Sequence, residues 1–435
     1  MNWENETGTF ALGDFTVEKG GVIREAWLAW QRFGTLNDKR DNLILYPSSY
    51  SARLADMSWL IGPEGILDPT RWCIIAVGMF SNGESSGAAE TPDYPALVTV
   101  ADNVRAQHRL VTEMCGVDKL AAVYGFSMGG MQAYHWAALY PEMVERAFVV
   151  CGSARTADHN KVFLSGLLRT LEAAPEHTGN GRFSSEPVLA LKAFGHIYAA
   201  WGLSQDFYRA GLYKSALGAP DLETFVRTNW AERFSQCRAA NLYAQALAWF
   251  HGDISDNKLY NGDLTQALQS IRAQMLLMPS ETDLYFRVAD NAAELPYLAT
   301  GTLRPIPSMW GHRAGNPNAI RQMPPFSRWG SPICCRGKAR LLGKQRNTRA
   351  ANAGCFGYPN SAPHAPWPGA RRPAPSYPAG RVAGRSAPAL VTTFGLADTA
   401  PSVIVTLGLL SRKRDCSMNC ANRCSSRPLL PRCSR

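Results

Sequence analysis

The chain has 435 residues, 46% of them hydrophobic, with 45 Lys and Arg against 35 Asp and Glu for a formal charge of +10. That excess does not point to nucleic acid, because it is confined to one end: residues 319–435 hold 16 Arg and 3 Lys against only Asp398 and Asp415, so residues 1–318 are net acidic. The opening Met1-Asn2-Trp3-Glu4-Asn5-Glu6 lacks the basic start and apolar core of a signal peptide. The same segment gives no support to a secreted or membrane-anchored class.

In chain order, Asn42–Tyr46, Trp72–Val77, Leu120–Tyr124, Glu145–Val150 and Ala273–Met278 are short, largely apolar runs that predict strands. Helical patterns alternate with them, notably Val98–Met114 and Gly130–Tyr140. This alternation predicts an α/β fold with a mostly parallel sheet covered on both faces. Between about residues 155 and 270 the period becomes helical. The segments Val162–Leu171, Glu186–Tyr198, Ser204–Ala216, Leu222–Ala248 and Asp263–Ile271 predict a helical lid inserted between strands. Its Trp201, Trp230, Tyr243, Trp249 and Phe250 read first as core, and its Arg209, Arg227, Arg233 and Arg238 as candidates for an anionic group of the substrate. The loop Phe80–Ser86 follows the second predicted strand on the edge where open α/β sheets bind ligands. It is expected to border the site, although an ordinary Asn-Gly turn explains it equally well.

The most informative motif is Gly125-Phe126-Ser127-Met128-Gly129, set between a strand and a helix. In this context glycines allow a tight turn that lifts the serine hydroxyl above the sheet, a nucleophile elbow. Ser127 is then the nucleophile and the Met128 N–H an oxyanion donor. The order Ser, Asp, His along the chain directs the search downstream. Asp283 lies just past the Ala273–Met278 strand, with Glu281 as its rival. His312 lies in the loop Ser308–Gly315, and the one later histidine, His364, sits in a Pro-rich stretch with no element to position it. The second oxyanion donor falls to the loop after the first predicted strand, at Ser49 or Tyr50. No P-loop, His-Glu-x-x-His or strand-linked dinucleotide fingerprint occurs, so no tightly bound cofactor and no metal are expected.

With these motifs in place, residues 1–318 resemble the homoserine O-acetyltransferase family of α/β-hydrolase-fold acyltransferases. The resemblance rests on Ser127-Met128-Gly129-Gly130-Met131-Gln132, Asp102–Leu110, Ser280-Glu281-Thr282-Asp283 and Trp310-Gly311-His312. It implies a ping-pong reaction in which Ser127 takes an acetyl group from acetyl-CoA, the expected co-substrate, and passes it to the hydroxyl of a small acceptor. It also implies the triad Ser127, Asp283 and His312, and a homodimer formed through the lid. Two departures mark a divergent member. Where the family has Asp after the histidine, meeting a substrate amine, this chain has Arg313, which is instead a candidate substrate-binding residue. Where the family has His-Ala-Leu-Thr, this chain has Pro47-Ser48-Ser49-Tyr50. An esterase using the same triad, with water as the resolving nucleophile, is the alternative. A non-catalytic α/β-hydrolase-fold protein is the reading from another class.

The domain division follows composition. Residues 1–318 form the catalytic domain, expected in the cytoplasm because Cys73, Cys115, Cys151 and Cys237 show no paired framework. Residues 319–435 contain 14 of the 28 prolines and 7 of the 11 cysteines. They read as a disordered basic tail of the kind a shifted reading frame after about residue 318 would produce, with no closing amphipathic helix. Cys416, Cys420 and Cys424 recur every four residues and do not form the paired knuckles of a zinc site. The apolar stretch Pro388–Leu410 is interrupted by Asp398 and Pro401 and does not read as a membrane span. Small-molecule substrates, with no nucleic acid or membrane partner, are expected.

Overall fold

Runs of β-branched and aliphatic residues bounded by turn residues build the sheet. The computed structural model describes residues 3–63 and 65–316, so the expectations for the 319–435 tail lie outside the described residues. The strands are β1 (Asn5–Thr16), β2 (Val22–Phe33), β3 (Leu43–Pro47), β4 (Cys73–Val77), β5 (Ala122–Phe126), β6 (Arg146–Val150), β7 (His177–Gly179), β8 (Arg182–Phe183), β9 (Gln274–Met278) and β10 (Gly301–Leu303). Eight form one sheet in the order β1-β2-β4-β3-β5-β6-β9-β10, while β7 and β8 make a separate small hairpin. From β4 to β10 every pairing is parallel, whereas β1 with β2 and β2 with β4 are antiparallel.

Alternation along each inner strand divides the core in two. Leu43, Leu45, Cys73, Ile75 and Val77 belong to one buried cluster. Their neighbours Ile44, Tyr46, Ile74 and Ala76 belong to another. Strands buried on both faces need helices on both, which is why they read as continuous apolar runs and not as alternating ones. Helix α1 (Val100–Arg109) starts at a Thr99/Asp102 capping box and runs into a π-helical turn, Leu110–Met114. Helix α2 (Met128–Leu139) is buried nearly throughout, from Met128 to Ala138.

Between β6 and β9 lie α3 (Asp158–Glu172), α4 (Val188–Gly202), α5 (Gln205–Arg209), α6 (Leu212–Ser215), α7 (Leu222–Val226), α8 (Glu232–Ser235), α9 (Ala239–Phe250) and α10 (Leu264–Gln269). The single helix expected over Leu222–Ala248 is instead α7, a π-helical turn at Arg227–Ala231, α8 and α9. The break before α9 has a non-local cause. Arg238 is extended, and Glu186 accepts both the Ala239 N–H at 2.9 Å and the Arg238 Nε–H at 2.6 Å, capping α9 from a distant segment. Ser204–Ala216 is likewise divided, into α5 and α6, at Gly211 with φ +64°. Among the described residues no helix is long and apolar enough to cross a membrane.

Helix α11 (Val288–Glu294) ends on a buried carboxyl that ties three elements together. Glu294 accepts from the Ala154 N–H at 2.8 Å, the Tyr134 hydroxyl on α2 at 2.7 Å and the Asn291 amide at 2.9 Å. Burial nevertheless pushes its pKa up to about 7, the hydrogen bonds only partly opposing it. A raised carboxyl pKa means that the fold holds a proton the unfolded chain has released. The stability this group contributes is therefore full below its unfolded value near 4.5 and falls as pH rises through about 7. We expect Glu294→Gln, which cannot ionise, to flatten that limb in urea titrations at about pH 5 and pH 8. Glu294→Ala is expected to lose on the order of 1–3 kcal/mol at pH 5 by leaving its donors unpaired, and less at about pH 8, where the contribution of the native carboxyl has fallen.

Candidate active site

Strand β5 delivers the chain to Ser127, whose backbone is left-handed at φ 58° and ψ −126°, and α2 begins at the next residue. A non-glycine residue held there stores on the order of 1–3 kcal/mol, so the surroundings must impose the turn. Two glycines make room for it. A Cβ on Gly125 would collide with the Gly129 carbonyl, and one on Gly129 would lie 2.6 Å from the Pro47 carbonyl oxygen.

The loop after β9 places Asp283, and the 3-10 turn Gly311–Gly315 places His312. The His312 Nε2 lies 2.9 Å from the Ser127 Oγ, and its Nδ1 lies 2.7 Å from Asp283 Oδ2. The other carboxylate oxygen accepts the Tyr285 N–H at 2.8 Å and the Phe286 N–H at 3.3 Å, which fixes the carboxylate plane. Phe126 and Tyr285 flank the imidazole, with ring centroids 4.8 and 4.9 Å away. All three residues are nearly sealed: Ser127 is 3%, Asp283 2% and His312 8% exposed. The rival Glu281 makes no contact with His312; its N–H goes to the Ile306 carbonyl at 3.0 Å. The other later histidine, His364, lies outside the described residues. Cys151 Sγ is within 4.8 Å of the ligand atoms of Asp283 and His312. Burial raises that thiol well above its ordinary range, and Asp283 and His312 already engage one another, so the trio is not a cation site.

Ser49 and Tyr50 lie against the nucleophile, in the loop that closes on α2 at Gly129. Among the described residues, the N–H groups of Ser49, Tyr50 and Met128 have no hydrogen-bond acceptor. Unpaired N–H groups beside a cavity that holds a hydroxyl suit a developing negative charge. The loop is held from several sides. Gln132 on α2 donates to the Ser48 carbonyl at 2.8 Å, and its own amide oxygen accepts from Gln107 on α1 at 2.6 Å. Ser48 Oγ accepts the Met79 N–H at 2.9 Å. Gln245 on α9 accepts the Ser51 N–H at 2.8 Å, and the Tyr50 hydroxyl donates to the Leu242 carbonyl at 2.9 Å. The sequence reading names neither Gln107 nor Gln132 as site residues, although both lie inside the two motifs it singles out. Burial of a glutamine amide on an apolar helix was the available signal. The Phe80–Ser86 loop, expected at the edge of the site, stands behind it instead. Asn82 donates to the Ala52 carbonyl at 3.3 Å and Glu84 accepts the Leu54 N–H at 2.8 Å, bracing the loop that does line the site.

Ser127 and His312 open on a cavity of about 130 Å³, lined on the sheet side by Tyr46, Ser49 and Tyr50 and on the helical side by Tyr198, Trp230 and Arg233. Arg313 also faces it and is half-buried, with its guanidinium 5.8 Å from the Trp230 ring centroid. Of the lid aromatics, Trp230 lines the cavity, while Trp249 is wholly buried core. Of the lid arginines, Arg209, Arg227 and Arg238 are paired with Asp206, Glu232 and Glu186, and Arg233 alone reaches the cavity.

Comparison with known proteins places this geometry. Residues 58–272 match the α/β hydrolase fold family. The chain is 35% identical over 320 residues to an ethyl acetate hydrolase of Pseudomonas veronii, covering 71% of this chain and 90% of that protein. It is 28% identical over 308 residues to a homoserine O-succinyltransferase of Herminiimonas arsenicoxydans, covering 62% and 78% respectively. The solved acetylester hydrolase of Corynebacterium glutamicum superposes with a TM-score of 0.68 at 33% identity, over 71% of this chain and 90% of that one.

Replacing Gln132 by Leu would leave the Ser48 carbonyl and the Gln107 amide unpaired in a buried site. We expect a loss of about 1–3 kcal/mol in urea unfolding. A fall in kcat of at least roughly tenfold should accompany it, because an oxyanion donor displaced from its position forfeits much of its effect.

Proposed function

The chain belongs to the α/β-hydrolase fold family, in the part of it that holds acetyl esterases and homoserine O-acyltransferases, and from that premise we propose that it hydrolyses short-chain acyl esters through an acyl-serine intermediate. It is an enzyme of acyl hydrolysis or acyl transfer. The observation that carries the site assignment is the pair of contacts Ser127–His312 at 2.9 Å and His312–Asp283 at 2.7 Å.

On this reading His312 Nε2 accepts the Ser127 proton as Oγ attacks the ester carbonyl carbon. Asp283, bonded to Nδ1, holds the ring tautomer and stabilises the imidazolium. The carbonyl oxygen becomes an oxyanion facing the Met128 N–H and that of Ser49 or Tyr50. Collapse breaks the ester C–O bond, and His312 returns its proton to the departing alcohol oxygen. Water then gives a proton to His312 as its oxygen attacks the acyl carbon. Collapse breaks the bond between that carbon and Ser127 Oγ, His312 returns the proton to Oγ, and the acid leaves. The catalytic domain is assigned to residues 1–318, with the α3–α10 segment as its lid.

Two observations favour hydrolysis over transfer to an amino acid. The ethyl acetate hydrolase shares more identity with the chain than the homoserine acyltransferase does. Arg313 stands where the resembling transferases carry an aspartate for an amine. A second reading, acyl transfer to an alcohol with acetyl-CoA as donor, draws support from the narrow cavity and the 3% exposure of Ser127, which restrict bulk water. Among the described residues Cys73, Cys115, Cys151 and Cys237 form no disulfide with one another, which fits a reducing compartment such as the cytoplasm.

Mixing with p-nitrophenyl acetate and with acetyl-CoA, followed by intact-mass spectrometry, tests the assignment. A 42-dalton adduct (about one acetyl group in mass) that is absent from Ser127→Ala and cleared by water supports the esterase. An adduct from acetyl-CoA that is cleared by an added alcohol moves the assignment to the transferase. No adduct from folded protein overturns both. Asp283→Asn should retain the fold and lose about 10⁴-fold in kcat, as expected for a carboxylate that sets the tautomer of the base.

A further inference from the structure

The cavity is lined by two cations, Arg233 from the helical side and Arg313 from the turn that carries His312, and among the described residues neither is paired with an acid. Arg313 and Arg233 both line the chamber that holds Ser127. Among the described residues neither guanidinium has a carboxylate within ion-pair distance, and no acceptor is hydrogen-bonded to the Arg313 side chain. The other arginines of this helical segment that sequence singled out are each spoken for by an acid. Among the described residues, Asp56 is the one carboxylate lining the cavity. It accepts the Arg53 N–H at 3.0 Å and is not ion-paired to either arginine.

A guanidinium half-removed from water and left without an anion is costly, and its contact with the Trp230 face at 5.8 Å offsets only part of that cost. Burial, reinforced by the charge of Arg233, lowers the Arg313 pKa to about 10, so the residue remains a cation at neutral pH. A planar fork of five donors facing a cavity matches a carboxylate in shape and charge. The same two charges oppose an ammonium. A neutral ester gains nothing from them.

We propose that Arg313 and Arg233 form a carboxylate-binding subsite, so that the preferred substrate is a short acyl ester that also bears a carboxylate and no amine. The proposal rests on the acyl-serine reading for which bond is broken, but binding at the subsite does not require that reading. The carboxylate is the recognised group whether it sits on the acyl half or on the alcohol half of the ester.

The test uses the full chain carrying Ser127→Ala, so that ligands stay intact, with binding measured by calorimetry. The ligands are monoethyl succinate, with its carboxylate on the acyl half, and 4-acetoxybutanoate, with its carboxylate on the alcohol half. Diethyl succinate and methyl 4-acetoxybutanoate are their neutral partners. We expect at least one acid to bind about tenfold or more tightly than its neutral partner, as a charge-assisted pair predicts. Which acid does so identifies the half. Adding Arg313→Gln should shrink that ratio to roughly threefold or less, while Arg313→Lys, which keeps the charge, should retain part of it. Arg233→Gln should weaken it to an intermediate degree. Equal binding of acids and neutral esters, or a ratio that survives Arg313→Gln, overturns the proposal. A binding ratio in a protein whose Ser127 form cleaves no ester would leave the subsite standing and remove the esterase reading instead.

Discussion

The close approach of two backbones governs this molecule. The chain must turn at Ser127 with a left-handed φ, and the first turn of α2 must pass so near the end of β3 that even a methyl group on Gly129 would press on the Pro47 carbonyl. That contact holds the loop carrying Ser49 and Tyr50 against the turn that carries Ser127, the arrangement the proposed oxyanion site requires. Strain of a few kcal/mol at one residue persists only where neighbours leave no alternative. Here the neighbours are a fully buried helix and the centre of a parallel sheet.

A layer of amides turns that contact into a fixed geometry. Gln107 on α1, Gln132 on α2 and the Ser48 carbonyl form a chain of buried hydrogen bonds. Trp136 adds its indole N–H to Gln107 at 2.9 Å. Asn103 in the same helix accepts the Phe80 N–H at 2.7 Å, and Asp102 accepts the Glu18 N–H at 2.9 Å. The motif Asp102–Leu110, which sequence reading could only match as a pattern, is thus a set of side chains that anchor loops around the site without reaching it. Gln245 and Tyr50 connect the same loop to α9. The helical segment is therefore hydrogen-bonded to the loop that follows β3, which lines the same cavity as Ser127.

Sequence was most informative where the determining forces are local. The inner strands lie within two residues of their expected limits, because burial on both faces leaves an uninterrupted apolar run. Ser127, Asp283 and His312, selected by chain order and by position after strands, come within hydrogen-bonding distance. The hairpin of β1 and β2 was not legible. Its outer strand is exposed at most positions, and two glycines in its turn, Gly20 and Gly21, carry the positive φ that reverses the chain. The division of α7, α8 and α9 was equally hidden, since the group that caps α9 is Glu186, far away in sequence. Arg313 appeared as a departure from a pattern; its setting against Trp230 and Arg233 depends on packing that brings distant segments together.

The loop after β3 is secured almost wholly through its main chain and the Ser48 hydroxyl: a carbonyl held by Gln132, an N–H held by Gln245, and a backbone in contact with Gly129. The Tyr50 hydroxyl adds one bond, to the Leu242 carbonyl, which leaves Ser49 as the lining side chain on which the frame does not depend for its shape. Such a frame can accept a new residue at Ser49 without losing the donors its backbone presents. Substrate preference can then drift under selection while the reaction itself is inherited unchanged. Ser49 is a position of this kind: an evolutionary freedom located in the wall of the cavity and denied to its floor.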